Sequence, residues 1–255
     1  MHSSHQPDSL RIWVFSNTPK LTARLQADGL LTDSQPAKNI IGVQSFQLPN
    51  WLLRSIKVSA DPRTHGKLSS EANFVRFLFA ELLPTVDRLL YLDVDIIVQD
   101  DVQAVYSTPL SRGAVLGAVK RPIPLRHFLK SSVIGLYERR YGSTINLEEP
   151  SFNAGVLLLD LAEWRACNAT DELRFWMEEN LKSTLWDLGT QPPILLLSYN
   201  RWSALETRWN VDGVGYRSDL ASLEISRAAI LHWTGSHKPW NEGTPWNELW
   251  RAYQK

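Results

Sequence analysis

Residues 89–98 read L-L-Y-L-D-V-D-I-I-V, an apolar run broken only by Asp93 and Asp95. A buried strand has no ordinary reason to carry two carboxylates at its centre, because an unpaired ionised carboxylate is very costly to remove from water. That cost disappears if the strand ends at Leu92 and both aspartates face a divalent cation at the edge of a sheet. Carboxylate oxygens suit Mg²⁺ or Mn²⁺, and both ions suit a diphosphate. The alternative interpretation is a strand end whose two aspartates face solvent and cap the next turn.

Segments with the apolar patterns of strands and helices alternate on both sides of this run. Strands are predicted at residues 10–16, 40–46, 88–92, 96–98, 115–119, 155–161 and 229–232, and helices at 18–29, 69–83, 171–181, 191–199 and 246–253. This alternation predicts an α/β fold with a mixed, mainly parallel sheet flanked by helices, whose ligands gather at the carboxyl ends of strands. Residues 49–67 are expected to form a basic loop and residues 121–150 a mobile flap. One domain is expected at residues 10–255, behind a polar tail at 1–9.

The composition favours a single globular domain without a nucleic-acid or membrane partner. The chain has 255 residues, of which 44% are hydrophobic, enough to bury one sizeable core. Lys+Arg and Asp+Glu both number 27, so the formal net charge is zero and no basic surface for nucleic acid is indicated. No segment approaches the roughly 20 apolar residues of a membrane span, and residues 1–9 do not resemble a signal peptide. The single cysteine, Cys167, excludes an internal disulfide.

A second polar motif follows the last predicted strand. Residues 230–240 read I-L-H-W-T-G-S-H-K-P-W, so an apolar strand leads to His232, a glycine turn at Gly235 and then Lys238. The histidine has an imidazole nitrogen that could bind the same metal, and the lysine has a positive charge that could bind a phosphate. Taken one at a time, a core histidine bonded to the backbone and a solvated surface lysine explain these residues better.

A third candidate is the polar segment S-F-N-A-G at residues 151–155, which leads into the strand predicted at 155–161. The amide of Asn153 and the missing side chain of Gly155 suit a ligand that passes close to the backbone. A simple turn is the alternative interpretation.

Four segments, in this order and at these separations, resemble glycosyltransferase family 8, the family of glycogenin and the plant galacturonosyltransferases. They are F-V-R-F-L-F-A-E-L-L-P at 74–84, L-L-Y-L-D-V-D-I-I-V-Q-D-D at 89–101, F-N-A-G-V-L-L-L-D-L-A-E-W at 152–164 and L-H-W-T-G-S-H-K-P-W at 231–240. The resemblance is closest to the eukaryotic glycosyltransferase 8 domain-containing proteins. Those share the I-V-Q-x-D continuation, a segment like P-P-I-L-L at 192–196 and W-N-V at 209–211. The resemblance runs from about residue 10 to the end of the chain.

The resemblance implies a GT-A-like fold and a retaining transferase. Such an enzyme moves a hexosyl or uronosyl group from a UDP-sugar to a hydroxyl of a glycan, protein or small-molecule acceptor. The resemblance implies that Asp93, Asp95 and His232 bind Mn²⁺, with Mg²⁺ as the alternative ion. It implies that Lys238, Gly235 and Arg76 contact the phosphates of the donor. It also implies that Asn153 and Gln191 line the sugar site as catalytic residues. The family's usual place is the Golgi lumen, so that localisation is expected. A cytoplasmic protein is the alternative, because no anchor is recognised in this sequence.

Two departures from the family pattern affect these expectations. Residues 190–192 read T-Q-P where many members read D-Q-D, which bears on the role of Gln191. Family members normally begin with a strand and a helix that grip uracil and ribose, whereas residues 10–16 look like the second strand of the fold. The first strand-helix unit is therefore expected to be missing. A non-catalytic sugar- or partner-binding remnant of the same fold is accordingly the alternative function.

A haloacid-dehalogenase-type phosphatase is the third hypothesis, because residues 89–97 resemble the first motif of that class. The motif needs Thr or Val at position 97, where Ile97 stands, and it normally opens the domain. The lysine and paired-aspartate motif of that class does not follow in a suitable context, so this hypothesis ranks last.

Overall fold

The computed structural model describes residues 11–16, 40–57, 68–217 and 219–253. Its strands are β1 (Arg11–Ser16), β2 (Ile40–Ser45), β3 (Arg88–Leu92), β4 (Ile96–Val98), β5 (Leu116–Pro124), β6 (Pro150–Asp160), β7 (Trp202–Leu205), β8 (Val211–Asp212) and β9 (Ile230–His232). Its α-helices are α1 (Asn50–Ser55), α2 (Glu71–Phe74), α3 (Phe79–Leu82), α4 (Val102–Tyr106), α5 (Val133–Tyr141), α6 (Leu161–Ala166), α7 (Ala169–Lys182), α8 (Gln191–Ser198), α9 (Ser222–Arg227) and α10 (Asn247–Tyr253). Short 3₁₀ helices lie at Val75–Leu78, Leu125–His127 and Thr207–Asn210.

The described strands form three hydrogen-bonded sheets. The largest has the order β3-β6-β5-β7, and the others are a β1-β2 pair and a β4-β9-β8 sheet. Three ladders between described strands are parallel, namely β1-β2, β5-β7 and β8-β9. The other three, β3-β6, β5-β6 and β4-β9, are antiparallel. The predicted mixed α/β fold is confirmed, but its described ladders are evenly divided rather than mainly parallel, because β6 runs against both of its neighbours.

Helices pack on the sheets around one large apolar cluster. Among the largest fully buried side chains of that cluster are Trp176 of α7, Trp186 and Phe77. Full burial of a side chain of this kind stabilises the fold by roughly 1.5–3 kcal/mol. The described helices include none that combines the length and the apolar character needed to cross a lipid bilayer.

The helical segment predicted at residues 69–83 is confirmed in extent but not in regularity. It consists of α2, a 3₁₀ turn at Val75–Leu78 and α3, and it ends just before Pro84. The tighter turn buries Arg76 together with its apolar neighbours. The helix predicted at 18–29 lies outside the described residues. The basic loop predicted at 49–67 begins instead with α1, whose Leu52 is fully buried in the core.

The segment predicted as a mobile flap, residues 121–150, is built into the core instead. It continues β5 to Pro124 and contains the nine-residue helix α5. Its buried apolar residues recur every four positions: Leu125, Leu129, Val133 and Tyr137. These residues pack on the core, and in α5 the spacing of Val133 and Tyr137 puts both on one helix face while Glu138, Arg139 and Arg140 are exposed. The prediction was wrong because the polar composition of the segment hid this apolar face.

Strand pairing brings three distant parts of the chain together. Antiparallel pairing of β3 with β6 sets Leu92 opposite Val156, and the Asp93 N–H donates to the Gly155 carbonyl at 2.8 Å. Antiparallel pairing of β4 with β9 sets Ile96 opposite His232. Beyond this pair, the Trp233 N–H donates to the Asp95 carbonyl at 3.0 Å. Residues 93–95 are therefore held on one side by β6 and on the other by β9.

Candidate metal centre

The carboxylates of Asp93 and Asp95 meet the imidazole of His232 at this junction. One ligand atom of each residue lies within 4.8 Å of the others. His232 Nε2 is 3.4 Å from Asp95 Oδ1 and 3.7 Å from Asp93 Oδ2. Asp95 and His232 are buried, whereas Asp93 keeps part of its side chain exposed. The structure thus brings together the three side chains that the sequence predicts as metal ligands.

Lys238 binds the opposite oxygen of Asp95. Its ammonium group donates to Asp95 Oδ2 and, at 3.1 Å, to the Trp233 carbonyl. Burial by itself raises the pKa of the Asp95 carboxyl, but the hydrogen bonds and charges of His232 and Lys238 outweigh it and lower this pKa to about 2. Asp95 is therefore ionised at neutral pH, with Oδ1 turned to the histidine and Oδ2 to the lysine. The turn that carries Lys238 passes through Gly235 at φ 90°, where glycine is favoured.

Arg76 and Tyr91 hold Asp93 from behind. The Tyr91 hydroxyl donates to Asp93 Oδ1 at 2.5 Å, and Arg76 Nη2 donates to the same oxygen at 3.2 Å and to the Tyr91 hydroxyl at 2.6 Å. Burial raises the pKa of the Tyr91 hydroxyl, although Arg76 opposes the shift, so the hydroxyl keeps its proton. Arg76 also donates to the carbonyls of Asn73 and Ala154. The structure thus places Arg76 behind Asp93 as an orienting group, and its contact with donor phosphates stays a prediction.

Gly155 provides the bare backbone against which this site packs. A Cβ at position 155 would lie 2.1 Å from His232 Cε1 and 2.8 Å from Asp93 Oδ2. Such distances are well inside van der Waals contact, so these two side chains occupy the space that a side chain here would need. Two carboxylates and one imidazole form a mixed oxygen and nitrogen donor set, which fits a first-row divalent ion such as Mn²⁺. The residues present therefore fit a metal of this class.

Asn153 and Gln191 lie beside the cluster, and β6 positions both of them. Asn153 is inside β6 rather than in a turn, because the strand begins at Pro150 and not at 155 as predicted. Its Oδ1 accepts from the Gly155 N–H at 2.7 Å. Gln191 opens α8, and its Nε2 donates to the Phe152 carbonyl at 2.9 Å. Their direct contact with a sugar stays a prediction.

All of the site residues predicted from the sequence line one cleft: Arg76, Asp93, Asp95, Asn153, Gln191, His232, Gly235 and Lys238. The sequence reasoning missed three others that complete the arrangement, namely Tyr91, Asn210 and Asp212. A signal for Asn210 was present in the W-N-V segment at 209–211, but nothing local indicated which residue it would contact.

Solved structures identify the fold of this chain. LgtC, a galactosyltransferase in complex with donor and acceptor sugar analogs, aligns with a TM-score of 0.58 and 20% identity, covering 95% of this chain and 94% of its own. Mouse xyloside xylosyltransferase 1 in its apo form also aligns with a TM-score of 0.58, at 16% identity, covering 89% of this chain and 85% of its own. The fold is the GT-A fold of glycosyltransferases, as predicted.

Sequence comparison identifies the family within that class. A family model described as glycosyl transferase family 8 matches residues 34–244. The chain belongs to glycosyltransferase family 8. It is 32% identical to a probable galacturonosyltransferase 9 of Arabidopsis thaliana over 225 residues, which cover 83% of this chain and 38% of the relative. It is also 32% identical to glycosyltransferase 8 domain-containing protein 1 of Danio rerio over 198 residues, covering 69% of this chain and 54% of the relative. The chain thus spans between about a third and about three fifths of the length of the curated relatives it matches.

Proposed function

We propose that this chain is a retaining, Mn²⁺-dependent glycosyltransferase that moves a hexosyl or uronosyl group from a UDP-sugar to an acceptor hydroxyl. The observation that carries the proposal is the cluster of Asp93, Asp95 and His232 with Lys238 beside it, in a cleft of a family 8 domain. The phosphatase hypothesis is set aside, because the chain belongs to a glycosyltransferase family.

The charged residues of the cleft are arranged to stabilise a departing diphosphate. A metal bound by Asp93, Asp95 and His232 would supply Lewis acidity to the two phosphates. Lys238 supplies a second positive charge, and its bond to Asp95 Oδ2 leaves Oδ1 on the side of the imidazole. Charge that develops on UDP as the glycosidic bond breaks would therefore be met by groups already in place.

The amides near the sugar fit a route that needs no protein base. In internal return, the bond from the anomeric carbon to the phosphate oxygen breaks, and the acceptor oxygen bonds to that carbon on the same face. The departing phosphate oxygen takes the proton of the acceptor hydroxyl. Gln191 is an uncharged amide anchored through Nε2 to the Phe152 carbonyl, so it offers its Oε1 oxygen as a positioning contact. This scheme differs from the paired carboxylates of glycosidases.

Donor, acceptor and localisation follow from the family as parts of the same proposal. Relatives named as galacturonosyltransferases motivate UDP-galacturonate as one donor to test, beside UDP-glucose, UDP-galactose and UDP-xylose. A glycan, a protein or a small molecule would provide the acceptor hydroxyl. The Golgi lumen stays the predicted location.

Turnover of these four UDP-sugars, measured as UDP release with a panel of sugar and glycopeptide acceptors, tests the proposal. We expect turnover with at least one donor, and we expect this turnover to require Mn²⁺ and to be abolished by EDTA. NMR of the product at early times is expected to show the anomeric configuration of the donor. Inverted product would contradict the retaining assignment, and metal-independent turnover would contradict the role of the cluster.

Substitution of Lys238 separates nucleotide binding from metal binding. Lys238→Ala is expected to weaken UDP binding in the presence of Mn²⁺ by roughly 10–100-fold, because a hydrogen bond to a charged group is worth about 1.5–3 kcal/mol. Binding of Mn²⁺ alone is expected to be unchanged or tighter, since a neighbouring cation is removed. Isothermal titration calorimetry measures both affinities. Lys182→Ala, at an exposed position of α7, is the matched control.

Thermal unfolding distinguishes a transferase from a non-catalytic remnant. In the presence of Mn²⁺, UDP at about 100 times its Kd raises the free energy of unfolding of a protein that binds it; the increase is about 2.7 kcal/mol. For a chain of this size, that corresponds to a rise in Tm of roughly 5–10 °C. A wild-type Tm that does not respond to UDP and Mn²⁺ would favour the non-catalytic remnant. In Lys238→Ala, UDP and Mn²⁺ are expected to raise the Tm by less than they do in wild type.

A further inference from the structure

A chain of buried polar side chains runs behind His232, on the side away from the two aspartates. Arg121 of β5 pairs with Asp212 Oδ2 at 2.8 Å, and Asn153 Nδ2 lies 3.3 Å from the same oxygen. Asn210 Nδ2 donates to Asn153 Oδ1 at 3.1 Å, and Asn210 Oδ1 lies 3.0 Å from His232 Nδ1. We call these three residues, the carboxylate of Asp212 and the side-chain amides of Asn153 and Asn210, the amide relay. It connects a charged pair at one end to a predicted metal ligand at the other.

The relay has only one direction that satisfies all of its members. The Asp212 carboxylate can only accept, so Asn153 must present its NH₂ group to it. The Asn153 oxygen is then turned to the Gly155 N–H, 2.7 Å away, and to the NH₂ group of Asn210. That fixes the Asn210 oxygen opposite His232. An oxygen at this position accepts, so Nδ1 of the imidazole must carry a proton and donate it.

Burial makes the reverse arrangement costly. Asn153 and Asn210 are each 3% exposed, and His232 is 1% exposed. Reversing one amide would set two oxygens against each other at one contact and two N–H groups at the next. Each unsatisfied buried group costs about 1–3 kcal/mol, so an isolated reversal is strongly disfavoured.

We propose that Asn210 and Asn153, held by Asp212 and Arg121, are positioning residues of the metal site. By accepting the Nδ1 proton of His232, the relay directs Nε2 to the metal, on the side of Asp93 and Asp95. The inference goes beyond the sugar-contact role predicted for Asn153, and it rests on the metal site of the proposed function. Outer partners of metal-binding histidines typically contribute 10–100-fold in metal affinity.

Imidazole ¹⁵N NMR of histidine-labelled protein tests the relay without any metal. At pH 8, wild-type His232 is expected to carry a proton on Nδ1; its signals are assigned by their loss in His232→Gln. Asn210→Leu is expected to move the proton to Nε2, because the aspartates are then the nearest acceptors. A wild-type protein whose His232 is protonated on Nε2 alone would overturn the proposal.

Mn²⁺ affinity, measured by the EPR signal of free Mn²⁺, provides the second test. Asn210→Leu is expected to bind roughly 10–100-fold more weakly than wild type. Asn210→Asp keeps an oxygen opposite Nδ1 but sets its second oxygen against Asn153 Oδ1, so it is expected to regain only part of the affinity that Asn210→Leu loses. Asn180→Leu is the matched control, because Asn180 is a buried asparagine of α7 whose oxygen accepts from the N–H groups of Leu185 and Trp186. It is expected to lower Tm without changing Mn²⁺ affinity.

The outcomes separate this inference from the proposed function. Wild-type protein that binds no Mn²⁺ would overturn the metal site itself. If Asn210→Leu binds Mn²⁺ as tightly as wild type does, the relay is overturned and the metal site is unaffected. Equal losses in Asn210→Leu and Asn180→Leu would also overturn it, because the effect would then be one of general stability.

Discussion

Replacing Asp95 with alanine is expected to lower Mn²⁺-dependent UDP-sugar turnover by roughly 10³-fold. The substitution removes one proposed metal ligand and, at the same time, the carboxylate that holds Lys238. Loss of about 4 kcal/mol of transition-state stabilisation corresponds to this factor. Turnover at saturating UDP-sugar, measured across a Mn²⁺ titration, gives the effect on kcat and the shift in metal requirement separately.

Two observations make that result interpretable. Asp95→Ala loses the ion pair with Lys238, so its Tm is expected to fall, and circular dichroism is expected to show that it remains folded. Asp219→Ala is the matched control: Asp219 is largely exposed, is paired with Arg217 and lies outside the metal cluster. Unchanged turnover in Asp95→Ala would contradict the metal assignment, whereas equal losses in both variants would point to an indirect effect.

The second large effect is expected for Gly155→Ala, which adds one methyl group behind the metal ligands. The new Cβ would lie 2.1 Å from His232 Cε1, and the imidazole cannot withdraw freely because Asn210 holds its other nitrogen. We expect Mn²⁺ affinity to fall more than about 100-fold, because His232 would be displaced and would lose its contact with Asn210. Overpacking is expected to lower the free energy of unfolding by about 1–3 kcal/mol. EPR titration and urea unfolding measure the two quantities.

Gly135→Ala is the matched control for that substitution. Gly135 lies in α5, where a Cβ meets only the flexible end of Arg139 at 3.5 Å. In a helix, alanine is more stable than glycine by roughly 0.5–1 kcal/mol, so this variant is expected to be slightly more stable and to bind Mn²⁺ as wild type does. If Gly155→Ala binds Mn²⁺ as tightly as Gly135→Ala, the packing of His232 against bare backbone is not what positions it.

The strands with continuous apolar runs were readily predicted from the sequence. β3 and β4 begin and end where expected, because aspartates and polar residues interrupt the apolar run on either side. β8 was missed because two residues, Val211 and Asp212, have no measurable periodicity and depend on β9 for their hydrogen bonds. α5 was missed because its apolar face is narrow and its remaining residues are strongly polar.

The site residues predicted from the sequence lie in one cleft, and their roles stay predictions. The two carboxylates in an apolar run indicated a metal by themselves, whereas the histidine and the lysine did so only in combination with them and with the family resemblance. Arg76 shows where such reasoning ends. An arginine suits a phosphate, yet the hydrogen bonds of Arg76 go to groups of the protein: Asn73, Ala154, Tyr91 and Asp93. In the folded structure, Arg76 therefore orients the carboxylate of Asp93.

Local residue types and their order were enough to identify the family, the apolar strands and the candidate metal ligands. The contact of His232 with Asp95 depends on the fold, because it arises from the antiparallel pairing of β4 with β9. The same is true of Asn210 and Asn153, which lie behind the histidine. Hydrogen-bond partners so far apart in the chain produce no periodic pattern in the sequence. They become partners only when sheet register brings them within about 3 Å and burial removes the water that would otherwise satisfy them.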